Sequence, residues 1–485
     1  MTEILFALLF LLPPWPAAAA RPAAVAGTFY PADPAALSAR VDSWLAAPKG
    51  FKPEPGVKAI LAPHAGYDFS GPMAGLAYRH AGDSYDTVVV LATGHTEGVK
   101  GAALLASDAY ETPLGKVEPD RELAAALMKT SPLFEDRPSA HRREHAVEVQ
   151  LPFLQRRLKK PFKLLPAVLN TTNLGDLKKI GAALAAALKG RRALIVISAD
   201  FSHYPPRDVA GAADRTMALA IASMDPALVQ GSAAMMSAQG LPGLETCACG
   251  EAAVIAGMEA ARLLGARSFL ALKVSDSYAE NPRLTGPSRV VGYISGLFLK
   301  KGEPPALDLK PAQKEALLKE ARRELERAFS RDNRPAALDP DPRLNLPGAA
   351  FVTLKKNGAL RGCVGTVEPA MTLANAVRYG AYSAAFRDGR FSPVEEEELR
   401  AIKVEVSVLS PMRPVKAADI KPWKHGVLAV AGRKSGLFLP QVWEQIPDKE
   451  EFLAEICSQK AGLPRDCWKD PATSLYYFTV DAFEE

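Results

Sequence analysis

Three short apolar runs in this chain each lead into a turn that bears a histidine. Residues 57–61 run into Ala62-Pro63-His64-Ala65-Gly66-Tyr67, residues 87–91 into Thr93-Gly94-His95-Thr96, and residues 193–198 into Ala199-Asp200-Phe201-Ser202-His203-Tyr204. The chain holds only 7 His and 5 Cys, so three histidines at equivalent places form a concentration rather than scatter. A fourth component, Cys247-Ala248-Cys249-Gly250, stands before an apolar helical stretch. The aligned amide dipoles of a helix N-terminus favour a thiolate there, the form that ligates metal. Two imidazoles and a thiolate suit iron, copper or zinc; magnesium and calcium take oxygen ligands. Whether Cys247 or Cys249 is the ligand stays open at this level. His141-Arg142-Arg143-Glu144-His145 also fits the H-x-x-E-H spacing of a zinc peptidase, although no downstream helical glutamate supplies its third ligand.

The elements that must carry these groups follow from the hydrophobic pattern. Strand-length apolar runs at 57–61, 87–91, 162–169 and 193–198 alternate with Ala-rich helical stretches at 121–128 and 177–188. Continuous apolar strands between helices indicate an α/β sheet covered on both faces, whose ligand crevice lies outside the carboxyl ends of the strands. Asp33-Pro34 reads as an N-cap and first helical residue of a helix reaching about Ala46, and runs at 269–274 and 289–298 complete the region. Residues 300–311, rich in charge and proline, form a linker. Beyond it, residues 313–329 carry Leu317, Leu318, Ala321, Leu325 and Phe329 on one helical stripe, and runs at 350–354, 403–409, 427–430 and 475–480 read as strands of an α+β domain with a largely antiparallel sheet. A length of 485 residues alone suggests about three domains. The pattern reduces this to two, at 21–299 and 312–485.

In the second domain, Leu360-Arg361-Gly362-Cys363-Val364-Gly365-Thr366 reads as a tight, glycine-bearing loop after a strand. Arg361 beside Cys363 would stabilise a thiolate, as a nucleophile or anion site requires, and Asp388 with Arg390 reads as a structural ion pair nearby.

Composition excludes other classes. Hydrophobic residues make up 48% and charged residues 23%, which is globular rather than disordered. The net charge of +5 is dispersed along the chain and gives no footprint for nucleic acid. Residues 4–12 are an unbroken apolar run, too short to span a bilayer, followed by Ala18 and Ala20 in the places of a signal-peptidase site. Residues 1–20 therefore read as a signal peptide, although Met1-Thr2-Glu3 lacks the usual basic residue. Cleavage after Ala20 makes the protein exported, periplasmic or secreted, with Arg21 first; without cleavage it is cytoplasmic. No later run is long enough to span a membrane. Cys457 and Cys467 are near enough in sequence to pair in an oxidising compartment.

Several of these runs resemble known families. Ala24-Val25-Ala26-Gly27-Thr28-Phe29-Tyr30-Pro31, Ala62-Pro63-His64-Ala65-Gly66-Tyr67 with Ser70-Gly71, Glu144-His145 with Glu148 and Gln150-Leu151-Pro152-Phe153, Ser198 to His203, and Cys249-Gly250 are similar, in order, to motifs of the Memo family. That resemblance implies a fold like the class III extradiol dioxygenases, which hold a non-haem iron with two histidines and a carboxylate. By position, His64 and His95 match the histidine ligands and Cys249 stands in place of the carboxylate. His203 matches the acid/base histidine, with Asp200 as its orienting partner. His145 is expected to act in catalysis, and Glu148 and Tyr67 to line the same pocket, with Cys247 extra to the pattern. The 360–366 run, with Ala384 to Phe391, Val404 to Leu409, His425-Gly426, Leu437 to Val442 and Lys460 to Leu463, resembles the AMMECR domain, a family with no agreed reaction. The two domains in one chain resemble the AmmeMemoRadiSam system. The implied function is metal-dependent oxidoreductase chemistry, with iron or copper bound and a radical-SAM protein as partner. Implied alternatives are a non-catalytic metal carrier or scaffold and a metal-dependent hydrolase.

Overall fold

A computed structural model describes residues 20–330 and 337–485. The leader expected at 1–20 lies outside the described residues, save for Ala20. By contact the chain forms two units: residues up to Phe201 with Ala248–Pro304, and Ser202–Cys247 with Pro305–Glu485. The division by contact therefore does not follow the division along the chain expected at 300–311, because 202–247 groups with the second unit. No helix among the described residues is long and apolar enough to cross a membrane.

The first unit is built on eight strands: β1 (Val57–Ala62), β2 (Thr87–Thr93), β3 (Ala102–Leu104), β4 (Phe134–Asp136), β5 (Lys163–Leu169), β6 (Ala193–Ser198), β7 (Ser268–Asp276) and β8 (Gly292–Leu299). They lie in the order β7-β8-β1-β6-β2-β5-β3-β4. The four central strands β1, β6, β2 and β5 are parallel, and β8 and β3 flank them antiparallel. All seven residues of β2 are buried, as expected of a strand covered on both faces. Val88, Val90 and Ala92 join one core with Tyr67, Ala74 and Phe153. On the other face Leu91 and Ile197 meet Gly257 of the helix Glu251–Leu263. The expected Asp33 cap is present, its carboxylate accepting from Ala36 N at 2.8 Å to start the helix Pro34–Leu45. A separate three-stranded sheet, which the hydrophobic pattern does not announce, pairs Ala20–Arg21 with Ala109–Thr112 and Gly115–Val117.

In the second unit, β9 (Pro347–Lys356), β10 (Ala359–Gly365), β11 (Ile402–Leu409) and β15 (Val480–Glu484) are ordered β10-β9-β11-β15, all antiparallel. A smaller sheet places Arg413–Pro414, β14 (Ser474–Phe478), β12 (Gly426–Ala431) and β13 (Lys434–Phe438) side by side, again antiparallel. The helix Pro311–Arg327 buries Leu317, Ala321 and Leu325 of the expected stripe, while Leu318 is only partly covered. One expectation is corrected. Residues 360–365 are not a loop but most of strand β10, and the turn of the hairpin is Asn357-Gly358, both at positive φ. Asn-Gly is the two-residue turn whose twist matches paired strands.

Candidate metal centre

Strand register creates the site. Ala62 of β1 and Ala92 of β2 both pair with Ser198 of β6. The segments that follow, carrying His64, His95 and Asp200, thus emerge from one carboxyl edge of the sheet, where α/β folds bind ligands. The polypeptide returns to that edge at Cys249, just before the helix Glu251–Leu263.

His64, His95 and Cys249 offer donor atoms that all lie within 4.8 Å of one another. His64 Nε2 and Cys249 Sγ are 3.2 Å apart, and the His64 and His95 rings stand edge to face at 5.2 Å. The hydrogen bonds define the tautomer of His64. Ser198 Oγ donates to Ala146 O at 2.7 Å and receives Gln150 Nε2 at 2.9 Å, so at 3.1 Å it accepts from His64 Nδ1–H. His64 Nε2 therefore carries a lone pair toward the thiol. Gln150 is itself fixed, donating to Pro63 O and accepting from Tyr78 Oη. Asp200 Oδ1 accepts the His64 backbone N–H at 2.8 Å.

His95 is oriented by Glu144, whose Oε1 accepts from His95 Nδ1 at 2.9 Å and whose Oε2 accepts the His95 backbone N–H at 2.6 Å. Ala146 N donates to Glu144 at 2.8 Å, and His145 Nδ1 lies 3.4 Å away. Burial alone would raise the Glu144 carboxyl, but these donors and the adjacent His95 hold it down at about 2. A carboxylate that turns an imidazole's Nε2 outward is the usual outer partner of a metal-bound histidine. Glu144 is the site residue least visible beforehand; its signal was its place beside His145 in the Glu144-His145-x-x-Glu148 run. His145 stacks on His95 at 4.5 Å, and burial, with His64 and His95 adding to it, lowers its pKa to about 4. It is a neutral ring at neutral pH. A second, overlapping group of possible donors is His95, Glu144 and His145. Glu144 is already the acceptor of three N–H groups there, which favours the first group.

The thiol departs from expectation. Cys249 is partly exposed as a residue. Even so, desolvation of its sulfur, reinforced by the charge of Asp200, pushes the pKa well up. Burial outweighs the helix N-terminus, so the thiol is protonated until a cation displaces the proton. Cys247 belongs to the second unit and is buried there, with Ser237 Oγ 3.5 Å from its sulfur. His203 also belongs to the second unit, where its N–H donates to Thr246 O at 3.0 Å.

Two expected pocket residues are structural. Glu148 is fully buried, accepting from Arg21, Tyr30 Oη and the N–H groups of Ala24 and Val25. Tyr67 lies in the aromatic core with Tyr30, Trp44 and Phe153, donating its hydroxyl to Val149 O at 2.7 Å. The zinc-peptidase spacing fails for a related reason. His141 is wholly buried, and both its ring nitrogens are engaged, by Tyr110 Oη at 2.8 Å and Ala103 O at 3.0 Å. The short helix Pro138–Arg142 ends before Glu144.

In the second unit, the Arg361 guanidinium is bound by both oxygens of Glu398 and donates to the carbonyls of Ser392 and Pro393. It is an anchor of its strand and not a cation reserved for the Cys363 thiol. Cys363 receives a hydrogen bond at sulfur from Thr353 Oγ1, 3.3 Å away. Its backbone N–H donates to Asp388, and Arg390 pairs with Asp388 through two hydrogen bonds, the structural ion pair expected.

The family model described as Memo-like protein matches residues 21–297, and that described as AMMECR1 matches residues 318–483. A MEMO1 family protein of Methanothermobacter thermautotrophicus is 36% identical over 282 residues, covering 56% of this chain and 97% of the relative. One from Aquifex aeolicus is 36% identical, covering 58% and 99%. The C-terminal part is similar to a protein of Nanoarchaeum equitans, 45% identical over 152 residues, covering 30% of this chain and 84% of that one. An uncharacterized protein of Pyrococcus horikoshii with a solved crystal structure is 39% identical, covering 36% of this chain and 93% of its own, with a TM-score of 0.34. The chain thus belongs to the Memo-like protein family and joins to that region a C-terminal AMMECR1 domain.

Proposed function

We propose that the His64–His95–Cys249 cluster binds one redox-active metal ion, iron or copper, and that the first unit is a metal-dependent oxidoreductase. The observation that carries this reading is the tautomer pattern: Nδ1 of both imidazoles is held by an acceptor, Ser198 Oγ or Glu144, so that each Nε2 carries the lone pair that a metal would take in place of the thiol proton. Metal–nitrogen bonds of about 2.1 Å and metal–sulfur bonds of about 2.3 Å bridge donors up to about 4.4 Å apart. The 3.2 Å His64–Cys249 separation falls within that reach, and a shift of a few tenths of an ångström brings a set spread over 4.8 Å into it. Three protein donors leave a coordination position open, as catalytic sites do and closed structural sites do not. A bound iron or copper would supply Lewis acidity and one-electron chemistry there.

The chain's own groups would do the rest. Glu144 and Ser198 fix the ligand rings, and neutral His145 is able to accept a proton. His203 and Asp200 keep, on motif position, the proposed acid/base and orienting roles. The AMMECR1 domain would then engage a partner substrate, and a radical-SAM protein is the proposed partner of the system.

Metal analysis of purified protein tests the reading. His64→Ala and Cys249→Ser should each abolish stoichiometric iron or copper, while Cys247→Ser should retain it. Full metal content in the first two variants would refute the ligand set. Metal that stays bound without oxygen uptake across catechol and thiol substrates would instead support a carrier. His203→Gln should keep the metal and lose turnover.

A further inference from the structure

The smaller sheet of the second unit borders a cavity of about 440 Å³ lined by Ser410, Arg413, Lys421, Lys424, His425 and Tyr477, among others. Three cations and a single carboxylate, Asp419, face it. Among the described residues, the other exposed arginines that line up with an acid, such as Arg465 with Glu451, show the usual fate of surface charge. Arg413, Lys421 and Lys424 have no such carboxylate partner among the described residues. The volume lies within the range of small-molecule sites.

The wall is built rather than accidental. Arg413 and Tyr477 are direct cross-strand partners, so their side chains share a face of the sheet. Tyr477 stacks on His425 at 4.3 Å between ring centres. His425 closes the turn that carries both lysines: its N–H donates to Lys421 O at 3.0 Å, and its Nδ1 accepts Lys421 N–H at 3.1 Å. Trp443 Nε1 donates to His425 O at 2.8 Å and ties that turn to the core. With Nδ1 accepting, the ring's N–H is on Nε2, a further donor. Burial, with Lys421 and Lys424 adding to it, lowers the His425 pKa, which marks the positive potential of the place.

We propose that this cavity binds a small organic phosphate, its phosphoryl group held by Arg413, Lys421 and Lys424 and its organic body lying along Pro411, Val415 and Tyr477. Arg413 supplies a planar fork and the lysines supply point charges, the combination that recognises phosphate. Hydroxyls of Ser410 and Thr479 line the same cavity and add neutral hydrogen-bonding capacity. A preorganised turn lowers the ordering cost of binding. The site lies wholly in the second unit and is independent of the metal centre.

Isothermal titration of the full chain with AMP, ribose 5-phosphate, inorganic phosphate and adenosine tests it. The two organic phosphates should bind, adenosine should not, and inorganic phosphate should bind more weakly than either. Affinity should fall with added salt. Lys421→Gln with Lys424→Gln, both exposed positions, should weaken AMP and ribose 5-phosphate about tenfold or more while leaving the thermal transition in place. Arg413→Gln should do the same alone. Absence of binding by both organic phosphates, or unchanged affinity in these variants, overturns the proposal. Equal or tighter binding of inorganic phosphate overturns the organic-phosphate assignment in favour of the free anion.

Discussion

Arg21 and Glu148 form an ion pair closed to solvent, their side chains 3% and 0% exposed. The same guanidinium donates to His141 O at 2.8 Å and Glu144 O at 2.5 Å, and it lies over the Tyr110 ring. One residue at the start of the described chain therefore braces the segment that carries Glu144 and His145. Arg21→Ala would leave Glu148 buried without its cation, at a cost of about 3–5 kcal/mol. Urea unfolding followed by tryptophan fluorescence should show it. A loss below about 1 kcal/mol, the scale of surface pairs, would mean that the pair does not brace the loop.

Glu144 is expected to matter for metal rather than for folding. Glu144→Gln keeps the shape but removes the charge that fixes the His95 ring, and loss of such an outer partner lowers metal affinity about 10–100-fold. Competition between the protein and a chromophoric chelator for Co(II) would measure the change. Unaltered affinity would favour the overlapping His95–Glu144–His145 group losing its importance altogether and would detach Glu144 from the centre.

The close approach behind Cys249 gives a sharper geometric test. A Cβ on Gly250 would sit 2.3 Å from Ala199 Cβ and 3.1 Å from Ser198 O. Gly250→Ala must therefore push the Cys249 turn away from the end of β6. The expected result is loss of the thiolate-to-Co(II) charge-transfer band with β-sheet content retained in circular dichroism. An undiminished band would show that the turn tolerates the shift.

These cases also show what the sequence could and could not reveal. Buried parallel strands announce themselves as apolar runs, and the edge they share follows from topology, which is why His64 and His95 could be grouped in advance. Glu148 and Tyr67 lie in the same motifs, yet motif membership does not say which way a side chain turns. The partner that claims Glu148 is Arg21, 127 positions away, and the acceptor that claims Tyr67 is a backbone carbonyl 82 positions away. Neither distance is encoded locally. Asn357-Gly358 was a local signal for a hairpin, and it explains why Arg361 and Cys363 lie on one strand; the register shift at Arg361 interrupts the alternation between them, and Glu398 takes the arginine.

Export is a proposal that two measurements address together. N-terminal sequencing of the mature protein should begin at Arg21, and an intact Met1 would reject cleavage. Cys457 and Cys467 form a disulfide, both residues buried, which suits an oxidising compartment. They are 10 positions apart, and a loop of that size corresponds to about 3 kcal/mol of stabilisation in the chain-entropy model. Dithiothreitol should lower the urea midpoint of the transition reporting the second unit, and Cys457→Ala with Cys467→Ala should reproduce the effect.

Acid stability should depend on the Arg361 anchor. The guanidinium of Arg361, then Lys356 and the Glu395 N–H, hold the Glu398 carboxyl at about 2, below its ordinary value of 4.5. A depressed carboxylate contributes stability that is complete above its unfolded value and is lost as pH falls through its folded one. The window is therefore pH 4.5 down to about 2. Asp388, lowered first by Arg390 and helped by the Cys363 N–H, acts in the same direction. Glu398→Gln should reduce stability at pH 6 by roughly 1–2 kcal/mol after allowance for solvent screening. It should also flatten the loss between pH 4.5 and 2 relative to the parent. Urea midpoints measured across that range decide the matter: parallel curves for parent and variant would show that the Arg361–Glu398 ion pair does not couple protonation to folding.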